Sequence, residues 1–310
     1  MNMPLLCVVG PTGAGKTGAG IALAKALGGE VVNFDSRQIY ADFPIITAQP
    51  SAGERAECPH RLYGFLPTAE AMTAAAYAEL ALAEIARVQG RGALPVLVGG
   101  TGMYLRWLLT PMAPIPDVPE NIRSQVREDC ERRGPQALHD DLAVMDPELA
   151  SRLHPNDRQR IMRGVEVALA SGKPLTQWQA LTPPPRPFRV LKFGVGLSLD
   201  ALTPFLLRRI ESMLDAGALD EARAAMERNA DPAAPGWSGI GCAEVLAHLR
   251  GELELEQCKR QWAANTRAYA KRQLTWFRAD AEVNWFGPGE HAPLLAVARK
   301  FLAQSDAPEA

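Results

Sequence analysis

The chain has 310 residues, of which 33 are lysine or arginine and 35 are aspartate or glutamate, so its formal charge at pH 7 is −2. Hydrophobic residues make up 47% and charged residues 22% of the chain, which argues against disorder, collagen-like repeats and coiled coil. A nearly neutral chain is not a generally basic nucleic-acid binder, so any site for a polyanion must be a local patch.

Strands and helices alternate in the first third of the chain. Short apolar runs predict strands at 5–9, 30–34 and 94–100, with helices between them, the longest at 70–89. This alternation predicts a parallel sheet flanked by helices. The start of the chain lacks the basic residues of a signal peptide, and its apolar runs are too short for a membrane span. We therefore expect a cytoplasmic protein without membrane contact.

The turn after the first strand matches the phosphate-binding pattern GxxxxGK[ST] and is followed directly by helical residues. Glycines let backbone N–H groups surround phosphate oxygens, Lys16 supplies a positive charge, and the Thr17 hydroxyl can bind Mg²⁺. We predict a diphosphate or nucleotide site on the loop residues Gly10, Pro11, Thr12, Gly13, Ala14, Gly15, Lys16 and Thr17. The loop alone leaves kinase, ATPase and diphosphate-releasing transferase open.

Polar residues follow the second and third predicted strands. Asp35 and Ser36 follow the second strand, and Gly100 and Thr101 follow the third. Ligands of open α/β sheets bind at the carboxyl ends of the strands. Asp35 is therefore a candidate for chemistry, with a helix cap or a turn as the alternative interpretation.

Proline-rich segments at 111–119 and 183–187 cannot continue a helix or a central strand. Between them the chain has charged helical patterns that end at Gly134 and Gly172 and no strand-like run. We predict an inserted all-helical subdomain at 117–180 and a P-loop α/β catalytic domain at 1–116 and 181–310.

After the second linker, 189–197 predicts another buried strand. The rest of the chain is predicted to be helical, including 203–229, and the last residues, 305–310, are expected to be frayed. The five cysteines are scattered without a CxxC pair, and the five histidines have no metal-ligand spacing. We expect packing cysteines rather than disulfides or a zinc site.

Several motifs together closely resemble those of the bacterial tRNA dimethylallyltransferases, the tRNA isopentenyltransferase family. In chain order they are GPTGAGKT, DSRQIY with TAQP following, PHRLYG, VLVGGTGMYL, HPNDRQRIMRGVEV and TRAYAKRQLTWFR. The resemblance covers about residues 4–286. DSRQIY combined with AKRQLTWFR is highly specific, whereas the phosphate loop alone is not.

This resemblance implies an activity. A dimethylallyl group moves from dimethylallyl diphosphate to N6 of the adenosine on the 3′ side of the anticodon, in tRNAs that read U-initial codons, and diphosphate is released. Asp35 would act as general base and Thr101 would contact the target nucleotide. Lys16, the loop amides and Mg²⁺ at Thr17 would stabilise the leaving diphosphate. Arg209 matches the family's catalytic arginine, with a solvated helix position as the alternative.

Local charge also favours an RNA partner. From Lys259 to Arg278 there are six lysines or arginines and no acidic residue, although a charged run is often only a solvated face. This segment adds Arg267, Lys271, Arg272 and Arg278 as candidate contacts. The resemblance implies further tRNA contacts at Asp35, Ser36, Arg37, Gln38, Thr101, Arg123, Gln159, Arg160, Ile161, Met162 and Arg163. It therefore also implies that the inserted subdomain at 117–180 binds tRNA. Because a stacked base cannot reach a buried carboxylate, we expect the target adenosine to flip out.

Two segments depart from the family pattern. Gln49 replaces a lysine in TAQP, and the segment 238–244 lacks the usual arginines, so we expect altered contacts to the anticodon stem with catalysis retained. Two other functions stay open. A small-molecule P-loop kinase would turn over ATP and have no use for basic patches. A non-catalytic RNA-binding module would not explain Asp35 and Thr101 at the loop's edge of the sheet. We expect a monomer.

Overall fold

The computed structural model describes residues 3–304, so the expectation for 305–310 lies outside the described residues. The chain forms two compact units. The first consists of Met1–Leu108 and Pro187–Ala310, and the second of Leu109–Arg186. The second unit extends beyond the predicted insertion 117–180 at both ends. Within residues 3–304, every helix is too short or too polar to cross a membrane.

A six-stranded sheet forms the centre of the first unit, and all its neighbouring strands are parallel. The strand order is β3-β2-β4-β1-β5-β6. The strands are β1 Met3–Val9, β2 Gly29–Asn33, β3 His60–Arg61, β4 Leu94–Val98, β5 Phe188–Val195 and β6 Val283–Phe286. The predicted parallel sheet is confirmed. The prediction that the chain after β5 is helical throughout is wrong, because β6 pairs with the edge of β5.

The helices follow in chain order. They are α1 Lys16–Leu27, α2 Ala52–Glu57, α3 Ala74–Gly90, α4 Gly102–Leu109, α5 Glu120–Arg133, α6 Pro135–Met145, α7 Pro147–Arg152, α8 Arg158–Ser171, α9 Leu175–Gln179, α10 Leu199–Asp215, α11 Ala218–Arg228, α12 Cys242–Leu249, α13 Leu255–Arg278 and α14 His291–Ala303, with a short 3-10 helix at Pro235–Ser238. The helix predicted at 203–229 is two helices, α10 and α11. Gly217 separates them because its φ of 98° is left-handed.

The core of the first unit lies between the sheet and its flanking helices. Leu23 of α1 and Leu294 of α14 are buried against Val96 of β4 and Phe193 of β5. Each of these side chains is at most 1% exposed, and burial of this kind contributes about 25 cal/mol per Å² of apolar surface. The sheet is therefore a rigid base for the loops at its edges.

All five cysteines are buried and free, as the sequence predicts.

The second unit is entirely helical in the residues that the structure describes. Helices α5 and α8 end at Gly134 and Gly172 as predicted, and both glycines have a positive φ. Asp146 organises the turn between α6 and α7. It is 1% exposed, and its carboxylate accepts hydrogen bonds from Leu149 N, Thr176 N and Thr176 Oγ1 at 3.1, 2.9 and 2.7 Å. A buried carboxylate is tolerated here because several donors satisfy it.

Candidate active site

The phosphate loop, Asp35 and Thr101 lie at one edge of the sheet. β1 leads into the loop, β2 into Asp35, and β4 into the segment that ends at Thr101. Val98 of β4 is aligned with Val8 of β1 and with Asn33 of β2. Parallel strands in this register end together, so the three segments that follow them emerge side by side.

Lys16 is the first residue of α1 and folds back over the phosphate loop. Its Nζ donates a hydrogen bond to Pro11 O at 2.8 Å. Burial lowers the pKa of Lys16 to about 8, the charge of Asp35 opposes this shift, and the charge of Arg209 adds to it. A half-buried cation with little negative charge around it suits an anion-binding loop, because the bound anion supplies that charge.

Helix α10 closes the phosphate loop from the side. Leu206 lies so near Gly13 that a Cβ there would be 2.7 Å from its Cδ2. Arg209 Nη1 donates to Thr12 Oγ1 at 3.4 Å. Burial lowers the pKa of Arg209, and the charge of Asp35 opposes this shift. Arg209 thus points to the phosphate loop, and the alternative of a solvated helix position does not hold.

Asp35 is held by a network that leaves one carboxylate oxygen available. Asn33 Oδ1 accepts a hydrogen bond from Asp35 N at 2.8 Å, and Asp35 Oδ1 accepts one from Arg37 N at 2.9 Å. The turn interpretation of Asp35 is therefore correct for Oδ1. The other oxygen, Oδ2, faces Gly100, where a Cβ would be 3.3 Å away.

Thr101 ties the ends of β2 and β4 together. Its Oγ1 accepts a hydrogen bond from Ser36 N at 2.9 Å and donates one to Ser36 Oγ at 3.1 Å. Tyr269 of α13 lies beside it. The pKa of Tyr269 is raised, first by burial and then by the charge of Asp35, and a hydrogen bond with Thr101 opposes the rise. Asp35, Thr101 and Tyr269 therefore form one polar cluster.

These groups surround a cavity of about 410 Å³ within the first unit. This volume is typical of small-molecule sites. The lining residues are Thr12, Asp35, Ser36, Arg37, Ile46, Thr47, Thr101, Leu206, Arg209, Ile210, Met213, Ser238, Ile240, Trp262, Thr266, Tyr269 and Arg272. Three of the four predicted catalytic residues, Asp35, Thr101 and Arg209, thus share one cavity, and Lys16 contacts the loop that borders it.

Several lining residues were not predicted from the sequence. Trp262, Thr266 and Tyr269 lie on one face of α13 at spacings of four and three, which is a helical periodicity that the basic composition of this segment concealed. Ile46 and Thr47 come from the turn after DSRQIY. Their contribution depends on tertiary contacts that no local pattern shows.

Two side chains hold that turn in place. Gln38 Nε2 donates to Thr47 O at 3.1 Å and to Ala48 O at 2.6 Å. Glu221 of α11 accepts hydrogen bonds from Ile45 N at 2.6 Å and Ile46 N at 2.9 Å. Burial raises the pKa of Glu221 to about 7, while these two hydrogen bonds oppose the rise. The amide of Gln38, a predicted tRNA contact, is thus engaged within the protein.

The segments that depart from the family pattern are also built into the cavity wall. Gln49 Nε2 donates to Tyr40 O at 2.7 Å, which fixes the loop internally. Ser238 Oγ accepts a hydrogen bond from Arg37 Nη1 at 3.1 Å, and Pro235 O accepts a second at 3.4 Å. Arg37 therefore places a positive charge beside Ser238, in the segment that lacks the usual arginines.

The predicted tRNA contacts on α13 differ in their surroundings. Arg272 lines the cavity, with its guanidinium 5.6 Å from the ring centre of Tyr269. Arg267 is already bound to Asp200 at 3.1 Å and Thr203 at 3.0 Å. The exposed side chains of Lys271 and Arg278 have no ion-pair partner within residues 3–304. The positive charges of Lys271 and Arg278 are therefore available to bind a polyanion.

In the second unit, the predicted contact arginines all have an acidic neighbour. Arg123 lies 3.9 Å from Glu120, Arg160 3.3 Å from Asp157, and Arg163 3.7 Å from Glu166. These surface pairs are weak, with a typical contribution of up to about 1 kcal/mol. The patch is therefore less positive than its arginine count suggests.

The side chain of Ile161, a predicted tRNA contact, does not face solvent. Ile161 is 0% exposed and belongs to the core of the second unit, together with Leu142 and Val165. Met162 is half-buried against the same core, whereas Gln159 is exposed. Helix α8 thus presents only part of the predicted stretch to solvent.

Thr17 is the candidate metal ligand. It is the second residue of α1 and half-buried, and its hydroxyl has no hydrogen-bond partner within the described part of the chain. Groups of three or more His, Cys, Asp or Glu side chains that could hold a metal do not occur in residues 3–304. A single hydroxyl fits Mg²⁺, which is commonly bound by few protein ligands together with ligand phosphates and water.

Comparison with known proteins gives a consistent result. The family model for IPP transferase matches residues 38–280. The tRNA dimethylallyltransferase of Maridesulfovibrio salexigens is 51% identical over 300 residues, which cover 97% of this chain and 98% of that protein. The tRNA dimethylallyltransferase of Oleidesulfovibrio alaskensis is 54% identical over 283 residues, which cover 91% and 93%.

Two solved structures of transferases are also similar to this chain. A tRNA isopentenylpyrophosphate transferase from Bacillus halodurans has a TM-score of 0.71 and 32% identity, covering 98% of this chain and 96% of that one. A eukaryotic dimethylallyltransferase acting on tRNA has a TM-score of 0.81 and 26% identity, covering 99% of this chain and 81% of that one.

The lowered pKa of Lys16 predicts a pH dependence of anion binding. Above pH 8 the free site loses the Lys16 proton, so binding an alkyl diphosphate must take up a proton, and affinity falls by up to about tenfold per pH unit. Titration calorimetry from pH 7 to 10 measures this. Lys16→Met should bind more weakly and lack that dependence. Lys25→Met, on the exposed face of the same helix, should behave as wild type. Equal pH dependence in wild type and Lys16→Met would contradict the prediction.

The raised pKa of Glu221 predicts a pH dependence of stability. The native state holds this proton to about pH 7, whereas an unfolded carboxyl loses it near 4.5. The free energy of unfolding of wild type relative to Glu221→Gln should therefore fall as pH rises from 4.5 to 7, by at most about 1.4 kcal/mol per pH unit, and level off above. Urea denaturation at several pH values measures this, with exposed Glu227→Gln as control. A constant difference would count against the prediction.

Proposed function

The chain belongs to the IPP transferase family, and from this premise we propose that it is a tRNA dimethylallyltransferase. It transfers a dimethylallyl group from dimethylallyl diphosphate to N6 of the adenosine on the 3′ side of the anticodon, in tRNAs that read U-initial codons, and releases diphosphate. Relatives with this name match 91–97% of the chain, so a small-molecule kinase is not favoured.

One observation of the structure carries the proposal for the site. Asp35 and Thr101 line the same cavity as Arg209, whose guanidinium donates a hydrogen bond to Thr12 of the phosphate loop. A base and an anion-binding group that share one compartment suit a reaction in which a proton leaves one substrate and an anion leaves the other.

The chemistry assigns a role to each group. The N6–C1 bond forms while the bond from C1 to the diphosphate oxygen breaks, and the N6 proton passes to Asp35 Oδ2, the oxygen that the Arg37 amide does not occupy. Lys16 and Arg209 stabilise the charge of the leaving diphosphate. Thr101, fixed by Ser36, orients the nucleotide.

The phosphate loop from Gly10 to Thr17 holds the diphosphate in this proposal. Thr17 would hold Mg²⁺, which neutralises charge on the diphosphate when bound. The other residues of the site act without it: the loop amides and Lys16 bind and orient the diphosphate, and Arg209 caps it from α10.

For tRNA, the first unit offers the cavity mouth and the unpaired cations of α13. Because Asp35 is half-buried, the target adenosine must leave its stack to reach it. Arg272 would contact RNA at the cavity, and Lys271 and Arg278 would contact phosphates outside it. The second unit would add contacts from its exposed polar side chains, including Gln159 and Arg160. We expect the protein to act as a monomer.

The transfer itself is tested with Mg²⁺, labelled dimethylallyl diphosphate and an unmodified tRNA that reads U-initial codons. Wild type should place label on N6 of the adenosine beside the anticodon. Asp35→Asn should lower the rate at least about 100-fold because the base is lost, while tRNA affinity stays near wild type because shape and the Arg37 hydrogen bond are kept.

Asp215→Asn, which changes an exposed carboxylate, serves as control and should transfer normally. Wild-type rates in Asp35→Asn would remove Asp35 from the mechanism. ATP-dependent phosphorylation of a small molecule, without label in RNA, would instead indicate the kinase.

The α13 cations are tested through salt dependence. Lys271→Ala combined with Arg272→Ala should weaken tRNA binding and reduce the slope of log K against log salt by about one for each RNA phosphate that the variant no longer binds. Lys259→Ala is the matched control, because Lys259 is already paired with Glu256 at 3.0 Å. An unchanged slope in the double variant would exclude this patch from the interface.

A further inference from the structure

We propose that Gln273 is a positioning residue that sets the separation between the diphosphate loop and the acceptor side of the cavity. It lies on α13 and is 4% exposed. Its Oε1 accepts a hydrogen bond from Thr12 N at 2.8 Å, and its Nε2 donates one to Gly100 O at 2.9 Å. One side chain thus binds both loops that hold the reactants under the proposed function, on which this inference rests.

The amide of Gln273 acts where backbone pairing between two central strands ends. β1 and β4 are aligned through Val8 and Val98, and Gly99 N donates to Val8 O at 3.2 Å. Beyond this point β1 turns into the phosphate loop and β4 into the segment of Gly100 and Thr101. A primary amide has a donor and an acceptor, as a peptide group does. Gln273 therefore bridges the two chain segments at the place where they separate.

The position of Gln273 requires a side chain that both accepts and donates a hydrogen bond. A buried amide is costly unless its hydrogen bonds are made, and here both ends are satisfied. Methionine has a similar length but can make neither hydrogen bond, and a glutamate carboxylate could accept from Thr12 N but could not donate to Gly100 O. A primary amide of this length satisfies both partners.

Gly100 shows how close the contact is. A Cβ at this position would lie 2.1 Å from Gln273 Nε2 and 3.3 Å from Asp35 Oδ2. The missing side chain is what lets Gln273 reach the carbonyl of Gly100. Since the same glycine faces Asp35, a displacement of this segment would also change the surroundings of the base.

The other end of the contact controls the leaving-group side. Thr12 is held twice, by Gln273 at its backbone N and by Arg209 at its hydroxyl. A displacement of the loop relative to Thr101 would move the reacting carbon away from the nucleophile, and a misplacement of about 1 Å can cost about 100-fold in rate. Loss of the amide should therefore affect the chemical step more than the binding of either substrate.

The test compares Gln273→Met with wild type and with Gln261→Met, an exposed glutamine on the same helix. Three quantities are measured on the full chain: the Kd for an unreactive thio analogue of dimethylallyl diphosphate, the Kd for tRNA, and the single-turnover rate with both substrates saturating. We expect both Kd values of Gln273→Met to stay within about threefold of wild type, and the single-turnover rate to fall by about 10- to 100-fold. The control should match wild type.

A wild-type rate in Gln273→Met would overturn the inference, as would a rate loss matched by an equal loss of analogue affinity. If Gln273→Met does not fold, Gln273→Asn decides, since it keeps a neutral primary amide but is one methylene too short to reach both Thr12 N and Gly100 O, and it should lose rate alone. Gly100→Ala perturbs the same contact from the other side. Its effect should not add to that of Gln273→Met if both act through one contact, and full additivity would contradict the proposal. Absence of transfer in wild type would refute the proposed function instead.

Discussion

The parallel pairing of β4 with both β1 and β2 is the constraint on which the site depends. Val98 is aligned with Val8 on one side and with Asn33 on the other, so three chain segments leave the sheet at the same edge. The phosphate loop, Asp35 and Thr101 are each reached within a few residues of that edge. Antiparallel pairing would send alternate segments to opposite edges and separate Asp35 from the phosphate loop.

In the free site two cations, Lys16 and Arg209, lie near a single carboxylate, and a bound diphosphate would add the negative charge that is missing. Burial lowers the pKa of both Lys16 and Arg209, and Asp35 is the anion whose charge opposes this in each case. Two desolvated cations thus depend on one carboxylate, which under the proposed function must stay available as a base. A bound diphosphate supplies more negative charge than Asp35 does. Under the proposed function, a bound diphosphate would therefore stabilise the charges of Lys16 and Arg209, and Asp35 would not be needed as their counter-ion.

Sequence patterns predicted what local chemistry determines and missed what distant contacts determine. Apolar runs located four strands, but β6 has exposed residues at Asn284 and Trp285, so it lacks such a run. Gln273 lies in a basic segment and is nonetheless buried. No local pattern shows this burial, because the hydrogen-bond partners Thr12 and Gly100 are 261 and 173 positions away in the chain. Ile161 could have been assigned to the core, since it lies four residues before buried Val165 on one helix face.

The apolar part of the cavity wall has a chemical reason under the proposed transfer. Allylic carbon becomes electron-poor as diphosphate leaves, and water would then compete with the adenosine amine as nucleophile. Leu206, Ile210 and Met213 of α10 line the cavity together with Arg209, and these three apolar side chains offer no hydrogen bonds that would hold water there. Excluding water also strengthens the interaction of Lys16 and Arg209 with the developing charge. The phosphate loop is shared with nucleotide-hydrolysing proteins, and under the proposed function the apolar wall is what suits the same cavity to a prenyl group.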